Sequence, residues 1–65
     1  MDTLDEIITT AFRTEYAFGV EIAQSDDERA NALETAREYA AAQIPDGREG
    51  IFDDSTLSFR ECYHA

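Results

Sequence analysis

Residues Ser25–Ile44 read SDDERANALETAREYAAAQI, and this stretch has an apolar side and an acidic side at helical spacing. Ser25 followed three positions later by Glu28 forms a capping box, in which hydroxyl and carboxylate satisfy amides that a first helical turn leaves unpaired. Asp26, Asp27 and Glu28 then fall where the helix dipole favours negative charge. The run ANALETAREYAAA is rich in strong helix formers and has no Gly or Pro, whereas Pro45 and Gly47 supply a stop. At about 100° per residue, Ala30, Leu33, Ala36, Ala40 and Ile44 share one side, the spacing of a core-facing stripe. Asp27, Asn31, Glu34 and Glu38 share the opposite side, spread over roughly 16 Å at the helical rise. The small alanines imply close approach of a sheet or a second helix.

Upstream, Tyr16, Phe18, Val20 and Ile22 alternate with Ala17, Gly19, Glu21 and Ala23. That period of two predicts a half-buried strand from Tyr16 to Ala23, with Gly19 marking a bulge or a close backbone approach. Before it, Thr3 and Glu6 offer a second capping box, and Leu4, Ile7, Ile8 and Ala11 make a short helical stripe. A helix is expected from Leu4 to about Arg13; Glu15 would fall on its apolar side, so it is expected to stop before that residue. Downstream, PDGREG supplies turn residues, Ile51 and Phe52 begin a second strand, and Asp53, Asp54 and Ser55 read as a hairpin turn. A third strand follows from Thr56 to about Tyr63, in which Leu57, Phe59 and Tyr63 share a face and Glu61 interrupts it. The order α-β-α-β-β predicts one α+β domain over residues 1–65, a three-stranded, mainly antiparallel sheet with helices on one face.

Sixteen large apolar residues (five Ile, three Leu, one Val, four Phe, three Tyr) in 65 suffice for one two-layer core. They leave little for an enclosed catalytic pocket, so a surface-mediated, non-enzymatic function is expected. The charge is the most informative property: fifteen Asp and Glu against five basic residues, all Arg, give a net −10. Direct binding to DNA or RNA is disfavoured, because affinity for a polyanion comes from neutralising phosphates with cations. The expected partner is a basic protein or complex. One cysteine and a start without a basic and apolar leader point to the cytoplasm; no stretch is apolar enough to span a bilayer, and the charge repels anionic lipid. The chain is expected to act as a monomer.

Motifs for chemistry are incomplete. Cys62 and His64 have a C-x-H spacing, but zinc needs four ligands and no other Cys or His completes a set; a nucleophile pair there lacks a third orienting group. Asp53, Asp54 and Ser55 lack the calcium-loop pattern, and PDGREG does not match a phosphate loop. No catalytic residue, metal or cofactor is expected. Arg29 and Arg37 flank the apolar stripe and are expected to snorkel or to pair with Glu15, Glu21 or Glu61, the alternative being that they mark a dimer or partner contact.

Two explanations of the acidity go beyond solubility. One is a solvation coat, as in a small halophilic or general acidic domain with an unassigned protein-binding role. The other is imitation of phosphates: carboxylates at helical i, i+4 lie about 6 Å apart along the axis and those at strand i, i+2 about 6.7 Å, both close to phosphate separations. The acids expected to meet the partner are Asp27, Glu34 and Glu38 on the long helix and Asp46, Glu49, Asp53 and Asp54 in turns, with Glu15 and Glu21 extending the field. A short, Lys-free, strongly acidic chain carrying SDDERANALETAREYAA between a strand and a terminal hairpin resembles the small phage-encoded anti-CRISPR proteins, acidic inhibitors of type I systems in particular. The resemblance implies an inhibitor in the host cytoplasm that occupies the Lys- and Arg-lined channel where a surveillance complex takes up target DNA.

Overall fold

The computed structural model describes residues 3–62. Helix α1 (Leu4–Ile22) and helix α2 (Asp26–Ala41) form an antiparallel pair, followed by strands β1 (Glu49–Asp53) and β2 (Ser58–Cys62) in a hairpin. The α+β class holds, but the sheet has two strands and the order is α-α-β-β. The expected strand from Tyr16 to Ala23 is helical up to Ile22, so the first helix does not stop at Arg13.

Helix α1 begins as its sequence dictates, with Thr3 Oγ1 accepting from the Glu6 N–H at 3.2 Å. Once nucleated, a helix gains one hydrogen bond for each residue it fixes, and 14–22 contain no proline to stop it. Gly19 is the weak helix former here, and its position explains its use. A Cβ built on Gly19 would lie 2.8 Å from the Ala32 Cβ, so the glycine marks a close approach of the two helices and not a strand bulge. Glu15, the residue expected to end the helix, is half-buried at the side of this contact.

Helix α2 follows its cap as read. Glu28 N–H donates to Ser25 Oγ at 3.2 Å, although the Glu28 carboxylate reaches back to Gln24 N–H at 3.0 Å, one residue before the cap itself. Of its apolar stripe, Ala36 and Ala40 are fully buried, Leu33 and Ile44 are partly buried, and Ala30 is exposed. Beyond Ala41 the chain tightens through Gln43 and Ile44. It then turns at Pro45–Arg48, where Arg48 N–H donates to Pro45 O and Gly47 has φ +84°, the positive φ that a type II turn requires at its third residue.

The hairpin pairs Phe52 with Phe59 and Gly50 with Glu61 on its inner face. Phe12 meets Phe52 edge-on at 5.3 Å between centroids, and Phe52 meets Phe59 at 5.0 Å. With Ile8, Ala36 and Ala40 these rings make the core. Glu61, on the same face, is buried and held by a two-pronged bond from Arg48; the pairings expected for Arg29 and Arg37 go instead to Asp26 and Asp54. Tyr63 and His64, expected in the third strand and the C-x-H pair, lie outside the described residues.

A helix takes the place of the missing third strand. Asp5, Thr9 and Arg13 form one i, i+4, i+8 stripe on α1, rising about 6 Å per step, close to the advance of about 6.8 Å for two residues of an antiparallel strand. Against them run Glu61, Phe59 and Leu57. Asp5 Oδ1 accepts from Glu61 N–H at 2.8 Å, Thr9 Oγ1 accepts from Phe59 N–H at 2.9 Å, and Arg13 Nε donates to Leu57 O at 2.9 Å. The outer edge of β2 is thereby satisfied and closed to other strands. Arg13 also donates to Thr56 O, which ties down the loop that ends at Leu57, whose φ is +53°. Thr9→Val keeps the shape and removes the hydroxyl, leaving a partly buried amide unpaired. It is expected to cost about 1–3 kcal/mol in urea titration and to speed hydrogen exchange at Phe59; unchanged exchange there would contradict the edge assignment.

Candidate functional site

Two groups of carboxylates differ in what they are tied to. In the hairpin group, Asp54 accepts from Arg37 Nη1 at 2.7 and 2.9 Å. Asp53 Oδ1 accepts from both Ser55 N–H (2.9 Å) and Ser55 Oγ (2.6 Å). The Ser55 hydroxyl, then the Ser55 amide, hold the Asp53 carboxyl below its ordinary range. These bonds favour the ionised form, so their contribution to the turn is present above the ordinary carboxylate range and is lost as pH falls through the lowered value. Glu49 also has a partner. Asp46 is exposed in the turn before β1. This group thus serves the hairpin first.

The helical group is different. Asp27, Glu34 and Glu38 are all exposed on α2, and among the described residues no ion pair is formed by any of the three. Residues 27 to 38 advance about 16 Å along the axis, so the acidic stripe read from the sequence is present on the folded surface. Glu21 is exposed on the outward side of α1. It stands on a helix and not on the sheet face where the sequence reading put it. Glu15 belongs with this group too.

Between the C-terminal half of α1 and the N-terminal half of α2 lies a groove of about 410 Å³. Helix α1 contributes Glu15, Phe18, Gly19 and Ile22, and α2 contributes Glu28, Asn31, Ala32 and Thr35. Each set is spaced i, i+3, i+4, i+7, one face of a helix over two turns. Phe18 and Ile22 are 64% and 67% exposed. The sequence reading missed them as site residues because it placed them on the buried face of a strand. No Arg lines the groove. The acidic stripe of α2 is centred about 90° around the helix from the groove-lining positions, on the side away from the core.

Among the described residues, no three Cys, His, Asp or Glu side chains are grouped to hold a metal ion. Cys62 is a half-buried free thiol, and its proposed companion His64 lies outside the described residues. No helix among them is long and apolar enough to cross a membrane. Compared with known proteins, the chain matches no family model, no curated protein and no solved structure.

Proposed function

We propose that this chain is a non-enzymatic inhibitor that docks on a basic, nucleic-acid-binding surface of another protein, with α2 presenting carboxylates where phosphates would lie. In its specific form, the surface belongs to a type I CRISPR surveillance complex, and docking blocks uptake of target DNA in the cytoplasm of the host. One observation carries the reading: Asp27, Glu34 and Glu38 are exposed in a line and make no ion pair among the described residues, in a chain of net charge −10. Carboxylates already used by arginines of the same chain would have little field left for a partner. These three keep theirs, and the Glu34 to Glu38 step of about 6 Å approximates a phosphate step. A Lys- and Arg-lined DNA channel is the surface such a line complements.

The test is competition with target DNA for a purified type I surveillance complex. Wild type is expected to displace DNA, with affinity falling as salt rises. Joint reversal of Asp27, Glu34 and Glu38 to Lys should weaken competition at least about tenfold, whereas reversal of Asp46 and Glu49 should weaken it far less, because those acids lie at the hairpin end. A wild-type chain that leaves DNA uptake untouched contradicts the specific form. Equal competition by the helix-reversed protein contradicts the role of the acids.

A further inference from the structure

We infer that the groove between the distal halves of α1 and α2 receives a cationic amphipathic helix of the partner, seated as a third helix. This rests on the reading of the acidic surface as a docking site for a basic partner, and adds to it a shape and an apolar anchor. The two walls already have the geometry of a helix seam, since Glu15, Phe18, Gly19 and Ile22 face Glu28, Asn31, Ala32 and Thr35 at the spacing that accepts ridges of a neighbouring helix. Gly19 has no side chain and Ala32 has a methyl group, so the floor between the walls is low and a third helix can approach closely. Phe18 and Ile22, 64% and 67% exposed, stand on one wall as anchors that nothing in the chain covers among the described residues. The seam runs from position 15 to 22, about 10 Å, which fits apolar side chains at i, i+3 or i+4, and i+7 of the incoming helix.

Charge decides the occupant. Glu15 and Glu28 lie in the groove, Asp27, Glu34 and Glu38 run along α2 about 90° around the helix from it, and no Arg lines it. An incoming helix therefore needs Lys or Arg on both flanks of its apolar stripe. A second copy would bring the same carboxylates against these, and an anionic bilayer would be repelled. A basic strand would satisfy the charge but not the ridge spacing of the walls.

The probe is a labelled peptide of about 18 residues made of Leu, Ala and Lys, with Leu at i, i+3, i+4 and i+7 of successive turns. The control has the same composition scrambled, so that charge is kept and the apolar stripe is lost. Titrated into the chain at physiological ionic strength, the ordered peptide is expected to bind at least tenfold tighter than the scrambled one. The double variant Phe18→Ser, Ile22→Ser should lose that advantage with its helical circular dichroism unchanged, because both side chains are exposed. Amide shift perturbations in wild type should centre on Gly19 and Ala32, which keeps the proposal testable even if the double variant misfolds. Equal binding of the two peptides, or shifts centred on the hairpin, would overturn the groove while leaving the acidic surface standing. Equal binding of the ordered peptide to wild type and to the Asp27, Glu34, Glu38 reversal would instead overturn the acidic reading and keep the groove. A dimer in sedimentation that Phe18→Ser abolishes would give the groove to a second copy and overturn the proposal.

Discussion

Phe12→Ala is expected to cost about 3–5 kcal/mol and to leave the chain largely unfolded at 37 °C. Phe12 is fully buried and is the ring through which α1 holds the hairpin, since it meets Phe52 edge-on and Phe52 in turn meets Phe59. Truncation removes the transfer energy of the ring and leaves a cavity between a helix and a two-stranded sheet. Neither wall can collapse easily, because Asp5, Thr9 and Arg13 pin β2 to α1 at a set distance. A domain of this length has a total stability of only about 3–10 kcal/mol, so the loss is most or all of it. Phe12→Leu keeps most of the volume and should cost roughly 1.5 kcal/mol. Urea titration followed by circular dichroism separates the two; an alanine midpoint near that of wild type would show that the three rings do not join the layers.

Gly50→Ala should also be destabilising although it adds a single methyl group. A Cβ at this position would overlap Arg60 O and the Phe59 ring, so both the partner backbone and a core ring must shift. Overpacking of this kind costs about 1–3 kcal/mol, more when backbone must move, against a gain in strand propensity well under 1 kcal/mol. Gly47 is the control. It has φ +84° with nothing within 4 Å of a built Cβ, so Gly47→Ala carries only the backbone cost of about 1–2 kcal/mol. Denaturant midpoints should therefore fall further for Gly50→Ala than for Gly47→Ala. The reverse order would mean that Phe59 does not cross over Gly50.

What could be read in advance followed from local rules. The Ser25 cap, the buried Ala36 and Ala40, the acidic stripe of α2 and the existence of the hairpin all depend on residues within a turn or two of each other, although Asp53 ends β1 and the turn extends through Thr56 and Leu57, which read as strand in the sequence. The segment from Tyr16 to Ile22 was misread because two periods compete in it. Large residues at every second position suggest a strand face, while Phe18 and Ile22 are also i, i+4 on a helix. The deciding contact, Gly19 against Ala32, is between helices and leaves no mark in the local pattern. Large apolar residues are read as inside, and Phe18 and Ile22, both exposed on α1, break that assumption. Among the acids, the stripe on α2 could be placed from helical spacing alone. That Asp54 is taken by Arg37, seventeen positions away, could not. Nor could the closure of the β2 edge by a helix, since Asp5, Thr9 and Arg13 look like ordinary surface residues until β2 is beside them.

Whether the carboxylates serve a partner or the solvent is decided most directly by circular dichroism of the wild-type chain across a salt series. Carboxylates spread for a partner require no molar salt to keep the fold, because the core of Phe12, Phe52 and Phe59 and the satisfied edge of β2 hold it. The helical signal should stay intact from about 0.01 M salt, where screening reaches roughly 30 Å, to 1 M, where it reaches roughly 3 Å. A chain that loses its helices below physiological ionic strength and regains them only in molar salt would contradict the account and make the acids a solvation coat.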